Sequence, residues 1–217
     1  MSKKGTCQAN TISKDSFKRL FLLYVVSRYQ KGVHGKKRLH KVVYMTERDS
    51  DLKPFQFRKY HYGQYSESLD EIKDQLLSMG YLTASPLDTK TPTHEGNKFE
   101  LADRDLGTYY SVLLEKINPK LKKKIDGTIE EYGYLDEPKL TEIAYGLPEF
   151  IEATFESVIL NEEMPDCLEV NGLDIDDIEE LEISLNPRFI NLVKRMDNAF
   201  EQGDFDPDKV KKVVDLV

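Results

Sequence analysis

The sequence has little cysteine, no long apolar run and no recognisable catalytic motif, and each absence removes a class of protein. Two cysteines, Cys7 and Cys167, cannot staple a chain of 217 residues. So low a count points to incidental thiols in a reducing compartment. No apolar run approaches the roughly 20 residues that span a bilayer, and residues 1–10 lack the apolar stretch of a signal peptide. The expectation is a cytoplasmic protein with no membrane association. Neither a glycine-rich phosphate loop nor a GxSxG elbow is present. His34, His40, His61 and His94 are scattered and make no HExxH or Cys/His zinc spacing. Asp174, Asp176 and Asp177 imitate a calcium loop only on the surface, because Gly172 precedes the acids and no Glu falls at the twelfth position. The reading is of a protein with no catalytic residues, no metal and no cofactor.

What is present is a core and an uneven charge. Ten Phe, 12 Tyr and a full set of aliphatics exclude wholesale disorder. The length fits one large domain or two small ones. The net charge of −8 averages over strong contrasts. Residues 1–62 hold 15 Lys+Arg against 4 Asp+Glu, a net +11. Residues 126–182 hold Lys139 alone against 19 acids, a net −18. The basic end suits an anionic partner, or the acidic block of the same chain, or that block in a second copy. All three remain open from charge alone.

Hydrophobic spacing sets out the elements. Phe17, Leu20, Phe21 and Tyr24 recur at helical spacing, capped by Ser13 or Asp15, with Leu23 and Val25 thickening the stripe. A second helix carries Leu39, Val42, Val43 and Thr46. Residues 55–62 alternate and read as one strand. Ser66 caps a third helix over residues 67–79, and Gly80 stops it. Residues 81–85 and 97–102 are strand candidates on either side of a polar loop, 86–96. Further helices carry Leu106 to Ile117, Leu121 to Tyr132, and two short segments after Pro138 and Pro148. Residues 161–180 read as an acidic linker or wrapping segment, and 181–185 as a short strand. Pro187 opens a helix that Gly203 ends, and residues 207–214 make a last short one. The first 12 residues read as frayed.

The segment 35–82 carries a resemblance. GKKRLHKVVYM, FRKYHYGQYSESLDEI and LLSMGYL are similar to the YwgA-like family and, more distantly, to the SocA-like antitoxin domain called Panacea. In these families a basic-Leu-Gln-Lys-Leu-like helix precedes an aromatic-Tyr-Gly-Pro-Tyr-Ser-like turn. Here Arg38-Leu39-His40-Lys41-Val42 forms the first motif and Tyr60, Tyr62, Gly63, Tyr65 and Ser66 the second. His40 stands where Gln is usual and Gln64 where Pro is usual. The resemblance covers about residues 13–102. It implies a winged-helix-like fold, a bacterial or phage origin, no enzymatic activity, and neutralisation of a partner toxin.

The expected fold class is α+β, mostly helical. A winged-helix-like domain over residues 1–102 is followed by a helical extension over 103–160 and by an acidic linker with C-terminal helices over 161–217. A winged helix invites a DNA reading through its third helix. That helix carries Glu67, Asp70, Glu71 and Asp74 against Lys73, which phosphates repel. If DNA binds, it binds the basic surface of Lys36, Lys37, Arg38, Lys41, Arg58 and Lys59 in another orientation. The expectation is instead an antitoxin-like or regulatory protein that binds a protein partner, a toxin or host factor, through an acidic surface. Glu130, Glu131, Asp136 and Glu137 are the candidate contacts. The alternatives are a DNA-binding transcriptional regulator and a phage anti-defence protein. A homo-oligomer is compatible with each.

Overall fold

The computed structural model describes residues 10–87 and 96–201. The fold is α+β and mostly helical, with three small antiparallel sheets among the described residues. Its centre is helix α1 (Lys14–Ser27), whose residues from Ser16 to Val26 are all buried. Ser13 caps it, accepting from the Ser16 N–H at 3.2 Å. A helix covered on every side needs partners on every side. It packs against α3 (Glu67–Met79), α4 (Leu106–Ile117) and strand β6 (Asn97–Leu101). Each large apolar side chain buried in this way contributes roughly 1.5–3 kcal/mol.

Strand β2 (Val33–His34) leads from α1 to helix α2 (Lys36–Arg48). A hairpin of β3 (Phe57–Tyr60) and β4 (Gly63–Tyr65) then leads into α3. Ser66 caps α3, and Gly80 ends it in the left-handed region at φ +82°, where an absent Cβ removes the steric penalty. Strand β5 (Leu82–Pro86) pairs with β6, and β6 with β2, giving the order β2-β6-β5. Helix α5 (Pro119–Thr128) follows α4 and widens into a π-helical turn, Ile129–Gly133. Helices α6 (Glu137–Tyr145) and α7 (Pro148–Glu152) come next. Strand β7 (Val158–Leu160) joins the edge of β3, and β8 (Cys167–Glu169) pairs with β1 (Thr11–Ser13). Helices α8 (Ile175–Ser184) and α9 (Pro187–Glu201) end the described chain.

Several expectations need correction. Residues 55–62 are not one strand, because the chain reverses after Tyr60 and returns as β4. Residues 11–13 are not frayed, since β8 supplies their backbone partners. The acidic segment 161–180 does wrap, but on its own chain: Lys53 and Glu163 bridge, β8 covers β1, and the last residues enter α8. Residues 181–185 are helical up to Ser184, with Ile178, Leu181 and Leu185 buried on one side. Asp174, from the imitation calcium loop, caps α8 by accepting from the Asp177 N–H at 2.8 Å. Cys167 is disulfide-bonded, so it is no incidental thiol and the cysteine argument for a reducing compartment lapses. Cys7, residues 88–95 of the polar loop and the short helix expected over 207–214 lie outside the described residues.

One cluster of buried residues runs from Ile12 to Leu185. It takes in α1, α2 and α3 together with Leu113, Leu114, Ile125, Leu140, Phe150, Ile178 and Leu181. The three sequence segments therefore share a core. Among the described residues no helix is long and apolar enough to cross a membrane.

Candidate functional site

The motif turn sits at the β3–β4 hairpin and its exit into α3. Gly63 holds φ +111°, and a Cβ there would meet Tyr145 Cε1 at 2.9 Å. The positive φ requires glycine, and the Tyr145 ring from α6 fills the space where a side chain would begin. The next residue, Gln64, is buried and donates from Nε2 to the Ala144 carbonyl at 2.7 Å. A proline in this place could not make that bond. Oε1 of Gln64 has no hydrogen-bond partner among the described residues.

Behind the turn lies a polar hub. The Ser66 N–H donates to His40 Nδ1 at 3.1 Å. Nε2 of His40 faces Asp70 Oδ1 at 3.3 Å, and Tyr65 stacks on the imidazole at 5.0 Å. Nδ1 accepts a hydrogen bond, so the proton of the neutral ring belongs on Nε2, directed at Asp70. Burial pushes the His40 pKa down, against the opposing pull of Asp70. Asp70 also receives Lys36, Lys73 at 2.9 Å and the Tyr65 hydroxyl at 3.1 Å. Burial alone would raise its pKa. The hydrogen bonds from His40, Lys36 and Lys73 outweigh that and hold the carboxyl well below its ordinary range. Together these contacts fix the direction of the hairpin relative to α2 and α3.

The outer side of the corner is aromatic and wet. Tyr60, Tyr62 and Phe155 are 41%, 68% and 48% exposed. Phe155 lies 5.3 Å from the ring of Tyr60 and 4.3 Å from that of His61. Beside them runs a groove of about 620 Å³, lined by Tyr60, Tyr65, Glu67, Glu71 and Glu156, with Arg58 as its cation. Glu156 adopts φ +65°, a conformation that costs a non-glycine residue on the order of 1–3 kcal/mol. Two hydrogen bonds hold its backbone: its N–H donates to the Lys59 carbonyl at 2.8 Å, and its carbonyl accepts from the Arg58 guanidinium at 3.1 Å.

The basic candidates do not form one solvent-facing surface. Lys41 is buried, donating to Glu137 at 2.7 Å and Thr141 at 2.6 Å. Arg38 reaches the Gly133 carbonyl at 2.8 Å and Glu137 at 3.8 Å. Lys59 donates to the carbonyls of Phe150 and Ala153, tying down the end of α7. Lys36, Lys37 and Arg58 are exposed, with Lys36 on Asp70, Lys37 4.1 Å over the Tyr62 ring and Arg58 on the Glu156 carbonyl. Other cations of the basic end meet the acidic block in the same way: Lys14 and Lys18 on Glu162, Arg28 on Asp126, Arg48 on Glu149 and Lys53 on Glu163. Neutralisation within the chain, one of the three charge readings, is thus realised at these pairs.

The acidic candidates separate as well. Glu130 and Glu131 are exposed on the π-helical turn. Asp136 caps α6 by accepting from the Lys139 N–H at 2.8 Å, and Glu137 holds Lys41. Sequence reasoning missed Phe155 and Glu156, which sit some ninety positions beyond the hairpin they flank. It named the departure at His40 without its bonding role. Among the described residues no group of His, Cys, Asp and Glu could hold a metal ion. Comparison of the chain with protein-family models, curated proteins and solved structures gave no match.

Proposed function

We propose that the protein acts by stoichiometric binding of a protein partner, as an antitoxin-like or regulatory protein without enzymatic activity. The acid-rimmed aromatic corner is its docking face. The observation that carries this reading is the exposed ring cluster of Tyr60, His61 and Phe155 beside Glu67, Glu71 and Glu156. Exposed aromatics that touch one another mark binding surfaces more than solvated ones. The surrounding carboxylates select a basic partner, such as the cleft of a toxin or a host factor. A phage anti-defence protein would use the same physics.

The resemblance to the YwgA-like and Panacea families supports this role, and supports a winged-helix-like arrangement for residues 1–102. Helix α1, β2, α2, α3 and the β5–β6 hairpin follow in that order, with β3–β4 inserted before α3 and a sheet order of β2-β6-β5. A cytoplasmic setting belongs to the proposal, though the cysteine count no longer supports it. Association of two copies stands as an alternative use of the same face. The DNA reading loses ground on α3. Its exposed residues include Glu67, Glu71 and Asp74, while Lys73 is buried between Asp70 and Asp74 and Gln75 accepts from Arg19. That face offers phosphates no free cation.

The test is affinity capture from native cells with the wild type, with Glu67→Lys/Glu71→Lys and with Glu130→Lys/Glu131→Lys. A partner retained by the wild type should be lost on reversal at Glu67 and Glu71, with affinity down on the order of tenfold or more. Equal capture by the first variant removes the corner. Loss confined to the second moves the contact to the π-helical turn.

A further inference from the structure

A second cavity, of about 510 Å³, lies between the end of α2, helix α5 and the π-helical turn. Lys120, Lys123, Lys124 and Gly127 all line it, and their spacing places them on one face of α5. Arg48 and Asp49 face them from the end of α2, and Glu131 from the π-helical turn. Asp49 stands 3.5 Å from Lys124 and 3.7 Å from Arg48, and Arg48 also reaches Glu149 at 3.2 Å. Lys120 and Lys123 are exposed and make no ion pair with any described residue. Four cations against two lining acids leave the cleft positive, in a chain of net charge −8. Like charges on neighbouring turns of a helix repel, and no carboxylate among the described residues comes within ion-pair distance of these two lysines.

Gly127 is a second, independent observation. Glycine inside a helix is unfavourable relative to alanine. Here an ideal Cβ would find no atom within 4 Å, so packing does not require its absence. The bare backbone lies open to the cleft, where a ligand can approach closely. Immediately beyond it the helix widens into the π-helical turn, a distortion frequent at functional sites.

We propose that this cleft binds a phosphate-bearing ligand, held by Lys120, Lys123 and Lys124, with the missing side chain at Gly127 leaving room for it. Several ammonium groups converging on one cleft suit a multiply charged phosphate better than a single carboxylate. The site is separate from the aromatic corner and does not depend on the partner-binding reading. A free nucleotide and a polynucleotide backbone present the same chemistry.

Fluorescence anisotropy on the full-length protein at low salt separates the two sources, using a labelled ATP analogue and a labelled RNA of about 20 nucleotides. Saturable binding of the ATP analogue that pyrophosphate displaces assigns a free nucleotide. Saturable binding of the RNA alone assigns a backbone. In either case Lys120→Glu/Lys123→Glu should weaken binding on the order of tenfold or more. Gly127→Gln should also weaken it, with a thermal midpoint unchanged or higher because glutamine favours the helix. No saturable binding of either probe, or binding that both variants leave intact, overturns the proposal.

Discussion

His40 shows how one side chain can tie a hairpin to a helix and make the tie depend on pH. Its Nδ1 accepts from Ser66 and its Nε2 faces Asp70, so a second ring proton would set two N–H donors against each other. Burial lowers the folded pKa below the ordinary 6.5. The unfolded chain therefore takes up the proton first, and stability is lost as pH falls below 6.5 toward the folded value. Asp70, also lowered, loses its contribution only below its ordinary 3.8. Glu47 runs the other way. It is buried, and desolvation raises its pKa although the Phe55 N–H donates to it, so its cost eases as pH falls. Comparing two proteins that share Glu47 removes that contribution. An amide at position 40 can accept from Ser66 and donate to Asp70 without titrating. His40→Gln should therefore flatten the fall in urea midpoint between about pH 7 and 5. Parallel pH curves for the two proteins would show that the imidazole is not the titrating group.

The elements divide by whether their signals are local. Caps and helical periodicity are written within a few residues, so α1, α2 and α3 are legible, with Ser13, Ser66 and Gly80 in their places. Short strands are not. Strand β1 is three residues long and pairs with a strand more than 150 positions away, and β2 has two residues. Nothing nearby in sequence announces either. The β3–β4 reversal is hidden for a different reason: its loop residues, His61 and Tyr62, are not turn formers, and the glycine comes one step later. The candidate site is legible to the same degree. Tyr60, Tyr62, Gly63, Tyr65 and Ser66 stand in the motif, whereas Phe155 arrives through the pairing of β3 with β7. The hairpin can be tested at its glycine. Gly63→Val forces a branched side chain into φ +111° and against Tyr145, and should cost about 2 kcal/mol or more of unfolding free energy. An unchanged denaturation midpoint would mean that the hairpin relaxes away from α6.

At the scale of the molecule, the basic end and the acidic block are two sides of one internal interface as much as two surfaces. The same holds for the core, which the segment boundaries at 102 and 160 cut through. A chain ending at residue 102 would lose α4, leaving apolar residues of α1 in water. Such a fragment should show no cooperative thermal transition and should bind a hydrophobic dye, whereas the full chain unfolds cooperatively. A sharp transition in the fragment would make residues 1–102 an autonomous unit. The pairing of β1 with β8 also bears on the order of synthesis. Thr11 cannot meet Glu169 until the ribosome has made the intervening chain, which takes on the order of 10–30 s at common elongation rates. Throughout that interval the strand that precedes the central helix has an open edge, so the newborn chain depends on a late segment to close it.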